Sequence, residues 1–424
     1  MPRPLAALTL TLAAAAPLLA DNWPQWRGPN NDGHSAEKAA LPAKWSETEN
    51  VVWKCKLPGP GAGTPCIWKE HIFFTAVGEK ALLLVCVGTD GAVKWEKPIG
   101  TGNKAARNDE GNSASASCST DGERVYAFVG DGTLAAYDFA GAEKWKVDTV
   151  KEYGKFEIQF GAHWSPVLYK GKLYVTLMHR KLQQVVCFDA KTGKEEWKAD
   201  RGSDGKGESP DVYTSPFVWE KGDKAALIVH GNDYCTAHDL KDGKELWRVT
   251  ELNPKAKYNM AWRAVSSPLV TPDLIVVPSC KNGVTVGIDP NTAKGDITPD
   301  DQKKGELWRI PKDTPDVPCP ILVGDTVFVW KENSNLLAYE AKTGKKSGEL
   351  LKVTNERHRA SPVYADGKLI VVGRDGTMAT VEPKPEPVLL NKMKLPDTFT
   401  ASPAVSGGRI YLRGWNHLWA IGTK

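Results

Sequence analysis

The sequence lacks the short motifs that identify most classes of soluble enzyme. It has no nucleophile elbow, no phosphate-binding P-loop and no pair of carboxylates at a recognisable catalytic spacing. It also has no Cys-x-x-Cys and no Cys-x-x-Cys-His, which argues against a zinc ribbon and a c-type haem. An excess of one charge is absent too, because 55 Lys and Arg residues are scattered among 51 Asp and Glu residues. We therefore expect no nucleic-acid partner.

Only the first residues form a long apolar run. Arg3 supplies a positive start, residues 5–19 are rich in Ala and Leu, and Ala20 precedes the polar Asp21. This arrangement predicts a secretory signal peptide over residues 1–20. A membrane anchor is the less favoured alternative, because the run is short for a bilayer span. We expect a protein without a transmembrane segment, periplasmic or extracellular after cleavage.

A repeated pattern runs through the rest of the chain. A dipeptide like Ser-Pro is followed by a short apolar run, a Gly or Asp turn and a second apolar run, as in the segments that begin at Ser165 and Ser361. The second residue of this dipeptide recurs every 41 to 53 residues, at positions 65, 118, 166, 216, 268, 320, 362 and 403. Two more strands complete each unit. Four short strands of this spacing are typical of a propeller blade, and the frequency of Val, Tyr, Gly and Pro excludes helical repeats.

The last strand of most units carries a tryptophan at a fixed position. We interpret these residues as structural side chains that pack between neighbouring blades. They are Trp53, Trp95, Trp145, Trp197, Trp247 and Trp308.

The two ends of the chain indicate how the ring closes. The final unit runs out after three strands, whereas the strand with Trp53 precedes the first unit. Pairing that strand with the final three completes an eighth blade and removes two open sheet edges. The sequence therefore predicts an all-β, eight-bladed β-propeller of four-stranded blades over residues 50–424. Residues 21–49 are predicted to be an N-terminal extension that packs on the propeller.

The eight cysteines of an exported chain would ordinarily indicate disulfides. Their positions argue otherwise, since Cys86 and Cys187 occupy the same place in two units, while Cys118 and Cys319 fall at the start of two others. Sister units have Ala, Ser or Pro there, which indicates small buried residues. We favour free thiols, with one or two disulfides as the alternative.

The segments AYDFAGAEKW, CFDAKTGKEEW and AHDLKDGKELW resemble the repeat of the PQQ-like, or quinoprotein-type, β-propellers. The resemblance covers almost all of the mature chain. That superfamily includes quinoprotein alcohol dehydrogenases, the BamB-type scaffold of outer-membrane assembly, and exported bacterial proteins whose signatures resemble NWPQWRGPNNDG and KGDITPDD here. The dehydrogenases hold a quinone between a Trp and a disulfide of adjacent cysteines, beside a calcium ion. This chain has no adjacent cysteines and no matching calcium ligands.

The links that join the last strand of one blade to the first strand of the next are uneven. Four consecutive links over blades one to five are long, which is typical of functional loops. These links carry polar and aromatic residues just before the innermost strand, and the link into blade seven adds three more. Such side chains are suited to binding an anion or a planar quinone by hydrogen bonds and stacking. The same side chains also suit strand-end hydrogen bonds. These candidates for ligand or partner binding are Asn108, Asn112, His163, Trp164, Tyr213, Trp262, Arg263, Arg357, His358 and Arg359.

Two other segments are expected to be structural. The insertion with Asp296, Asp300 and Asp301 is interpreted as a solvated loop, with a calcium site as the less favoured alternative. Trp23 and Trp26 are expected to cap the edge of the ring, with partner docking as the alternative.

Two hypotheses for function follow from these patterns. The first is an exported, non-catalytic scaffold or binding platform, similar to BamB, that takes a protein partner or a small molecule at its loop-rich face. It needs no cofactor, no metal and no catalytic residue, and we expect it to be a monomer. The second is a PQQ-dependent quinoprotein dehydrogenase, with calcium, that oxidises an alcohol or a sugar. The absence of adjacent cysteines and of a haem motif favours the first.

Overall fold

The computed structural model describes residues 22–37, 39–106, 110–299 and 301–423. Within these residues the strands form eight antiparallel sheets, one for each predicted blade. Blades one to four contain β2 Cys66–Trp68, β3 His71–Val77, β4 Leu82–Gly88, β5 Val93–Gly100; β6 Ser119–Thr120, β7 Arg124–Phe128, β8 Thr133–Asp138, β9 Glu143–Asp148; β10 Val167–Tyr169, β11 Lys172–His179, β12 Leu182–Asp189, β13 Glu195–Asp200; β14 Phe217–Lys221, β15 Lys224–Gly231, β16 Tyr234–His238, β17 Glu245–Val249.

Blades five to eight continue the same order. They contain β18 Leu269–Val270, β19 Ile275–Pro278, β20 Thr285–Ile288, β22 Glu306–Ile310; β23 Ile321–Val323, β24 Thr326–Trp330, β25 Asn335–Glu340, β26 Lys346–Lys352; β27 Val363–Ala365, β28 Lys368–Val372, β29 Thr377–Glu382, β30 Val388–Lys394; β31 Ala404–Ser406, β32 Arg409–Arg413, β33 His417–Ile421 and β1 Val51–Lys56. The helical elements are short: α1 Thr149–Tyr153 and 3₁₀ turns at Lys255–Lys257 and Gln302–Lys304.

The predicted ring closure is confirmed. Strand β1 pairs with β33 in antiparallel register, with Trp53 opposite Ala420 and Lys54 opposite Trp419. Blade eight thus takes its outermost strand from the beginning of the chain, and the eight-bladed all-β fold stands as predicted.

Five of the six fixed tryptophans join their blade to the next blade by a hydrogen bond and a close packing contact. The indole N–H of Trp145 donates to the carbonyl of Ala190 at 2.9 Å, and a Cβ built on Gly193 would lie 2.6 Å from the same ring. Trp197 repeats this arrangement with Leu240 and Gly243. The same hydrogen bond from an indole N–H to a backbone carbonyl joins Trp53 to Thr89, Trp95 to Phe139 and Trp308 to Ala341. In blade five Ala293 takes the place of the glycine and packs in the cluster of Trp247.

The Ser-Pro dipeptides form a second set of contacts between blades, close to the central channel. The backbone N–H of one dipeptide donates to the serine hydroxyl of the next, as from Ser117 to Ser165 at 2.9 Å and from Ser165 to Ser215 at 2.8 Å. Four further bonds of 2.9 to 3.0 Å join Thr64 to Ser117, Ser215 to Ser267, Cys319 to Ser361 and Ser361 to Ser402. A serine recurs at this position because its hydroxyl satisfies the backbone group of its neighbour.

The N-terminal segment lies against the innermost strands of the ring, where Trp23 contacts Ile67 and Trp26 contacts Phe217. It contacts the innermost strands of six blades in turn. These contacts are Trp23 with Ile67, Pro24 with Thr120, Gln25 with Leu168, Trp26 with Phe217, Arg27 with Pro320, and His34 with Tyr364. The segment thereby covers apolar side chains of these strands.

The insertion before Trp308 is partly a strand, which corrects the expectation of a solvated loop. Strand β21, Gly295–Ile297, pairs in parallel with β17 and becomes a fifth strand of blade four. Asp296 lies in this strand, and Asp301 precedes a 3₁₀ turn. Asp300 lies outside the described residues. The added strand covers the open edge of blade four, which a loop would leave exposed.

All eight cysteines are buried and none forms a disulfide, as the favoured interpretation expected. Among the described residues there is no helix of the length and hydrophobicity that a membrane span requires. The predicted signal peptide over residues 1–20 lies outside the described residues.

The tryptophan–glycine contact predicts different effects for two glycines of blade three. Gly193 and Gly171 have nearly the same φ, +72° and +76°, but only Gly193 faces a ring, that of Trp145. Both alanine substitutions should incur the cost of a left-handed backbone, about 1–2 kcal/mol. Gly193→Ala should lower the free energy of unfolding by roughly a further 1–3 kcal/mol, since its Cβ overlaps the indole. Denaturant unfolding of both variants checks this, and equal losses would contradict the packing role of Trp145.

Candidate functional site

A cavity of about 430 Å³ occupies the mouth of the channel on the face where the links emerge. Its size lies within the range of small-molecule sites. Its lining mixes aromatic, hydroxyl and charged side chains from the links, the dipeptides and the N-terminal segment. Its aromatic and ionisable members are Trp26, Glu110, Phe160, His163, Glu208, Tyr213, Arg263, Lys281, Asp316, Arg357 and Arg359.

The cavity follows a positional rule of the sequence. In every blade the residue two positions before the first member of the Ser-Pro-like dipeptide lines it. These eight residues are Ala62, Ser115, His163, Tyr213, Val265, Val317, Arg359 and Thr400. An extended chain directs alternate side chains to opposite sides, so the residue two before an inward-facing Ser165 or Ser361 faces inward as well.

Aromatic side chains form one side of the cavity, near blades three and four. Trp26 lines it while stacked on Phe217, with ring centroids 5.6 Å apart. Phe160 and Tyr213 lie 6.1 Å apart, and the Tyr213 hydroxyl accepts a hydrogen bond from the Phe160 backbone N–H at 3.2 Å. The guanidinium of Arg263 lies 4.9 Å from the Phe160 ring. This side of the cavity presents flat aromatic rings, and the guanidinium of Arg263 lies over one of them, that of Phe160.

Arginines form the opposite side, near blade seven. Glu110, from the link between blades one and two, accepts a hydrogen bond from Arg359 Nη2 through its Oε1 at 2.7 Å. Arg357 Nη1 lies 3.5 Å and Arg374 Nη1 3.8 Å from the same oxygen. One carboxylate oxygen thus faces three guanidinium groups.

Two further carboxylates line the cavity. Glu208 pairs with Arg263 and lies 3.8 Å from Lys281 Nζ. Burial raises the pKa of the Asp316 carboxyl, with a further increase from nearby Glu332, while Arg263, Arg359 and Lys281 oppose it. Burial, and then the charge of Lys104, lowers the pKa of His163 to about 4. At neutral pH His163 is therefore an uncharged hydrogen-bonding group.

The structure brings five of the predicted site residues together in this cavity: His163, Tyr213, Arg263, Arg357 and Arg359. Four others lie elsewhere. Trp164 is fully buried and packs on Phe128 and Phe156, with ring centroids 5.8 and 5.6 Å away. Trp262 lines a smaller cavity beside His230.

The remaining predicted residues form hydrogen bonds within the fold or lie outside the described residues. His358 is buried and bonds to the Ser334 hydroxyl at 2.9 Å and to the Val372 carbonyl at 3.0 Å. Asn112 is also buried, and its Oδ1 accepts from the backbone N–H of Ala114 at 2.9 Å. Asn108 lies outside the described residues. Trp164 and His358 each neighbour a cavity residue in sequence, and chain alternation turns them inward to the blades.

Sequence reasoning missed six aromatic or charged residues that line the cavity: Trp26, Glu110, Phe160, Glu208, Lys281 and Asp316. They come from the N-terminal segment, from the long links, from the shorter link between blades five and six, and from the turn between β19 and β20. The position two before the first member of the dipeptide would have identified five other lining residues, but none of these six; the five are Ala62, Ser115, Val265, Val317 and Thr400.

The charged groups do not fit the calcium site that the dehydrogenases of the superfamily use. Glu110 and Glu208 are each held by cations at the distances given above. In the part of the chain that the structure describes, no three His, Cys, Asp or Glu side chains are placed to hold a metal ion. The aromatic and cationic groups would suit the flat, acidic part of a quinone, without the metal.

Four buried histidines predict a loss of stability in mild acid. Burial is the largest cause that lowers the pKa of His163, His238 and His358 to about 4 and that of His230 to about 3. The unfolded chain, with ordinary histidine pKa values near 6.5, binds more protons than the folded chain between about pH 4 and 6.5. Stability is therefore full above pH 6.5 and falls as the pH decreases, by up to about 3 kcal/mol per histidine.

Calorimetry checks this expectation. Unfolding near pH 5 should take up roughly three to four protons from these histidines, and His358→Gln should take up about one fewer. A Tm that does not change between pH 7 and pH 5 would contradict the buried neutral state. Carboxylates with lowered pKa values contribute mainly below about pH 5, so the difference between the wild type and His358→Gln isolates the share of a histidine.

Comparisons with known proteins agree with this architecture. A family model described as outer membrane protein assembly factor BamB matches residues 36–147 and 130–347. The structure of BamB from Moraxella catarrhalis superposes with a TM-score of 0.61 at 14% identity, over 88% of this chain and 97% of that one. Quinohemoprotein alcohol dehydrogenase from Comamonas testosteroni superposes with a TM-score of 0.68 at 12% identity, over 97% and 82%. At these identities the likeness concerns the fold.

A sequence relative gives a shorter match. The lanthanide-dependent methanol dehydrogenase of Methylorubrum extorquens is 32% identical over 83 residues, which are 18% of this chain and 13% of that enzyme. The chain therefore matches only a small part of the length of this curated relative. The family model covers most of the chain, from residue 36 to residue 347, and on that ground the chain belongs to the PQQ-repeat propeller family described as outer membrane protein assembly factor BamB.

Proposed function

We propose that this protein is an exported binding platform without catalytic activity, similar in role to a BamB-type scaffold, which takes its ligand or partner on the link face. The observation that carries the proposal is the cavity at the channel mouth. It is of ligand size, and the carboxylates Glu110 and Glu208 that line it are engaged by arginines. In a scaffold, the role of such a cavity is to recognise a ligand or a partner.

The distribution of loops supports this role. Long links form one face, and they carry Met260, a large apolar side chain that is 55% exposed. Connections of this length on a rigid scaffold commonly carry binding functions. The family description, outer membrane protein assembly factor, names an assembly role for the proteins on which that model is built.

Cross-linking in cells tests the platform. A photoreactive amino acid in place of exposed Met260 should give a discrete cross-linked product, because this side chain lies on the link face. The same substitution at Lys224, exposed at the start of β15 on the opposite face, is the matched control. Equal labelling from both positions, or from neither, would contradict recognition by the link face.

A quinone-dependent dehydrogenase is the second candidate, favoured by the match to a methanol dehydrogenase and by the aromatic and cationic sides of the cavity. Trp26, Arg263 and Arg359 would hold the quinone, which supplies the electron acceptor for alcohol oxidation. PQQ with Ca²⁺, or with a lanthanide ion, should produce no dye-linked alcohol oxidation if the chain is a platform. Oxidation that depends on both PQQ and the metal, with a matching increase in Tm, would replace our proposal with this one.

A further inference from the structure

The outermost strands of blades six and seven lack the tryptophan that other blades carry at this radius. In blade two, Trp145 lies opposite Ala136 of the third strand. The equivalent register position holds Ser347 in β26 and Asn391 in β30. Neither side chain has an aromatic ring that could pack on the next blade, so the outer edge of both junctions is without the usual cover.

The N-terminal extension compensates at only one of these two junctions. Between blades seven and eight it supplies Trp45, which is buried in one cluster with Met393 and Tyr411. The Thr380 hydroxyl donates to the Ala43 carbonyl at 3.1 Å and so holds the extension there. At the junction of blades six and seven, the described residues instead leave large apolar side chains in solvent.

These apolar side chains come from two neighbouring outermost strands. In β30 they are consecutive, at residues 388–390, and each is 37% to 44% exposed. In β26 the exposed apolar residue is Leu350. A Cβ built on Gly348 would lie 3.2 Å from the Glu386 side chain, so β26 runs beside the turn that leads into β30. We call this surface the rim patch; its members are Leu350, Val388, Leu389 and Leu390.

The rim patch is the solvent-exposed end of the core between blades six and seven. Leu389 lies opposite Val381 in the ladder, so the two side chains share one face of the sheet. Val381 is buried in one cluster with Phe328 and Leu336 of blade six. Exposed apolar surface that is contiguous in this way marks a site of interaction.

The backbone of β30 is open at the same place. In the described chain β30 pairs only with β29, so its outer edge presents unpaired N–H and C=O groups. Natural edge strands are commonly protected by charged side chains, but β30 has none before Lys392. This edge is therefore suited to pairing with an extended segment.

Blade four shows which kind of segment an outermost strand of this protein accepts. Strand β21 adds to β17 as a fifth strand and places Asp296 opposite Arg248 and Ile297 opposite Val249. Ile297 is fully buried by this pairing. The added strand thus sets an acid beside a base and an apolar side chain beside another.

The charge of the exposed edge determines which occupant is complementary. A second copy of this chain would bring the same charges against themselves, whereas an acidic segment would be attracted. The outermost strand β9 of blade two, by contrast, carries two lysines and two acids. Together β26 and β30 carry four lysines against one glutamate: Lys346, Lys352, Lys392, Lys394 and Glu349.

We propose that blade seven binds an extended segment of a partner protein, one that alternates apolar and acidic residues, as a fifth strand on β30. The apolar side chains of the segment cover the rim patch, and its acids meet Lys392. The backbone groups of the segment pair with the open edge of β30. This surface lies at the outer radius of the ring, so it is separate from the cavity at the channel mouth and from the link face.

Fluorescence anisotropy with a labelled peptide of alternating Val and Glu residues, as long as β30, tests the proposal on the full chain. We expect this peptide to bind roughly tenfold more tightly than a peptide of alternating Val and Lys, because the edge carries lysines. Equal binding of the two peptides would overturn the role of charge. Absence of binding by the Val–Glu peptide would overturn the proposal as a whole.

Amide hydrogen exchange distinguishes strand addition from a contact between side chains alone. The Val–Glu peptide should slow exchange of backbone N–H groups in β30 and leave exchange in β13, the outermost strand of blade three, unchanged. Binding that leaves the exchange of β30 unchanged would overturn the pairing.

Variants locate the site on the ring. Leu390→Asp and Lys392→Glu should each weaken binding of the Val–Glu peptide by roughly tenfold, because each sets an acid against the acids of the peptide. Val93→Asp in β5 is the matched control, since Val93 is an exposed apolar residue on the outermost strand of blade one. It should leave binding unchanged, and a loss as large as that in Leu390→Asp would count against a site on blade seven.

Two further measurements identify a different occupant. A dimer in analytical ultracentrifugation that Leu390→Asp abolishes would assign the rim patch to a second copy of the chain and overturn the partner segment. Binding to phosphatidylglycerol vesicles that Leu390→Asp abolishes, without binding of the peptide, would assign it to a lipid surface and overturn the proposal likewise. Cross-linking from Met260 should persist in Leu390→Asp, so failure of the link-face platform and failure of this inference can be told apart.

Discussion

The pairing of β1 with β33 is the constraint on which the rest of the structure depends. It joins the two ends of the repeat array, so that strand edges which would otherwise be open become a continuous ring. Once β1 lies on β33, the indole of Trp53 reaches the Thr89 carbonyl of blade one at 2.8 Å. Arg413 of blade eight reaches the Gly63 carbonyl at 2.8 Å near the channel. Blades eight and one are therefore held at both the outer and the inner radius, as their neighbours are.

The inner contacts determine the geometry of the cavity. Each bond from a backbone N–H to the serine of the next dipeptide fixes the spacing of two innermost strands, as between Ser361 and Ser402 at 3.0 Å. Side chains two positions earlier are then held at a fixed distance from the channel axis. The N-terminal segment closes the channel beneath them with Trp26. The channel thus holds a cavity at the link face whose lining includes Trp26.

Much of the fold could be predicted from the sequence, because the same local pattern of residues recurs in each blade. The spacing of Ser-Pro, the turn glycines and the fixed tryptophans predicted the blades and their closure. The arginine cluster could not be predicted, since Glu110 and Arg359 are 249 residues apart and meet only through the ring. Trp164 and His358 were placed in the site because a link has no periodicity by which the orientation of single residues can be recognised. The missing information was the register, which the serine bonds supply.

The same register separates the recognition of a ligand from the stability of the fold. Backbone and serine groups hold the strands together, so the side chain two positions before each dipeptide is free to differ: it is His163 in blade three, Val265 in blade five and Arg359 in blade seven. A substitution at such a position changes the cavity without removing the serine hydrogen bonds that join the blades. The buried unpaired N–H groups of Arg359 oppose folding unless an acceptor reaches them. The serine bonds that hold the blades together do not require an arginine at this position.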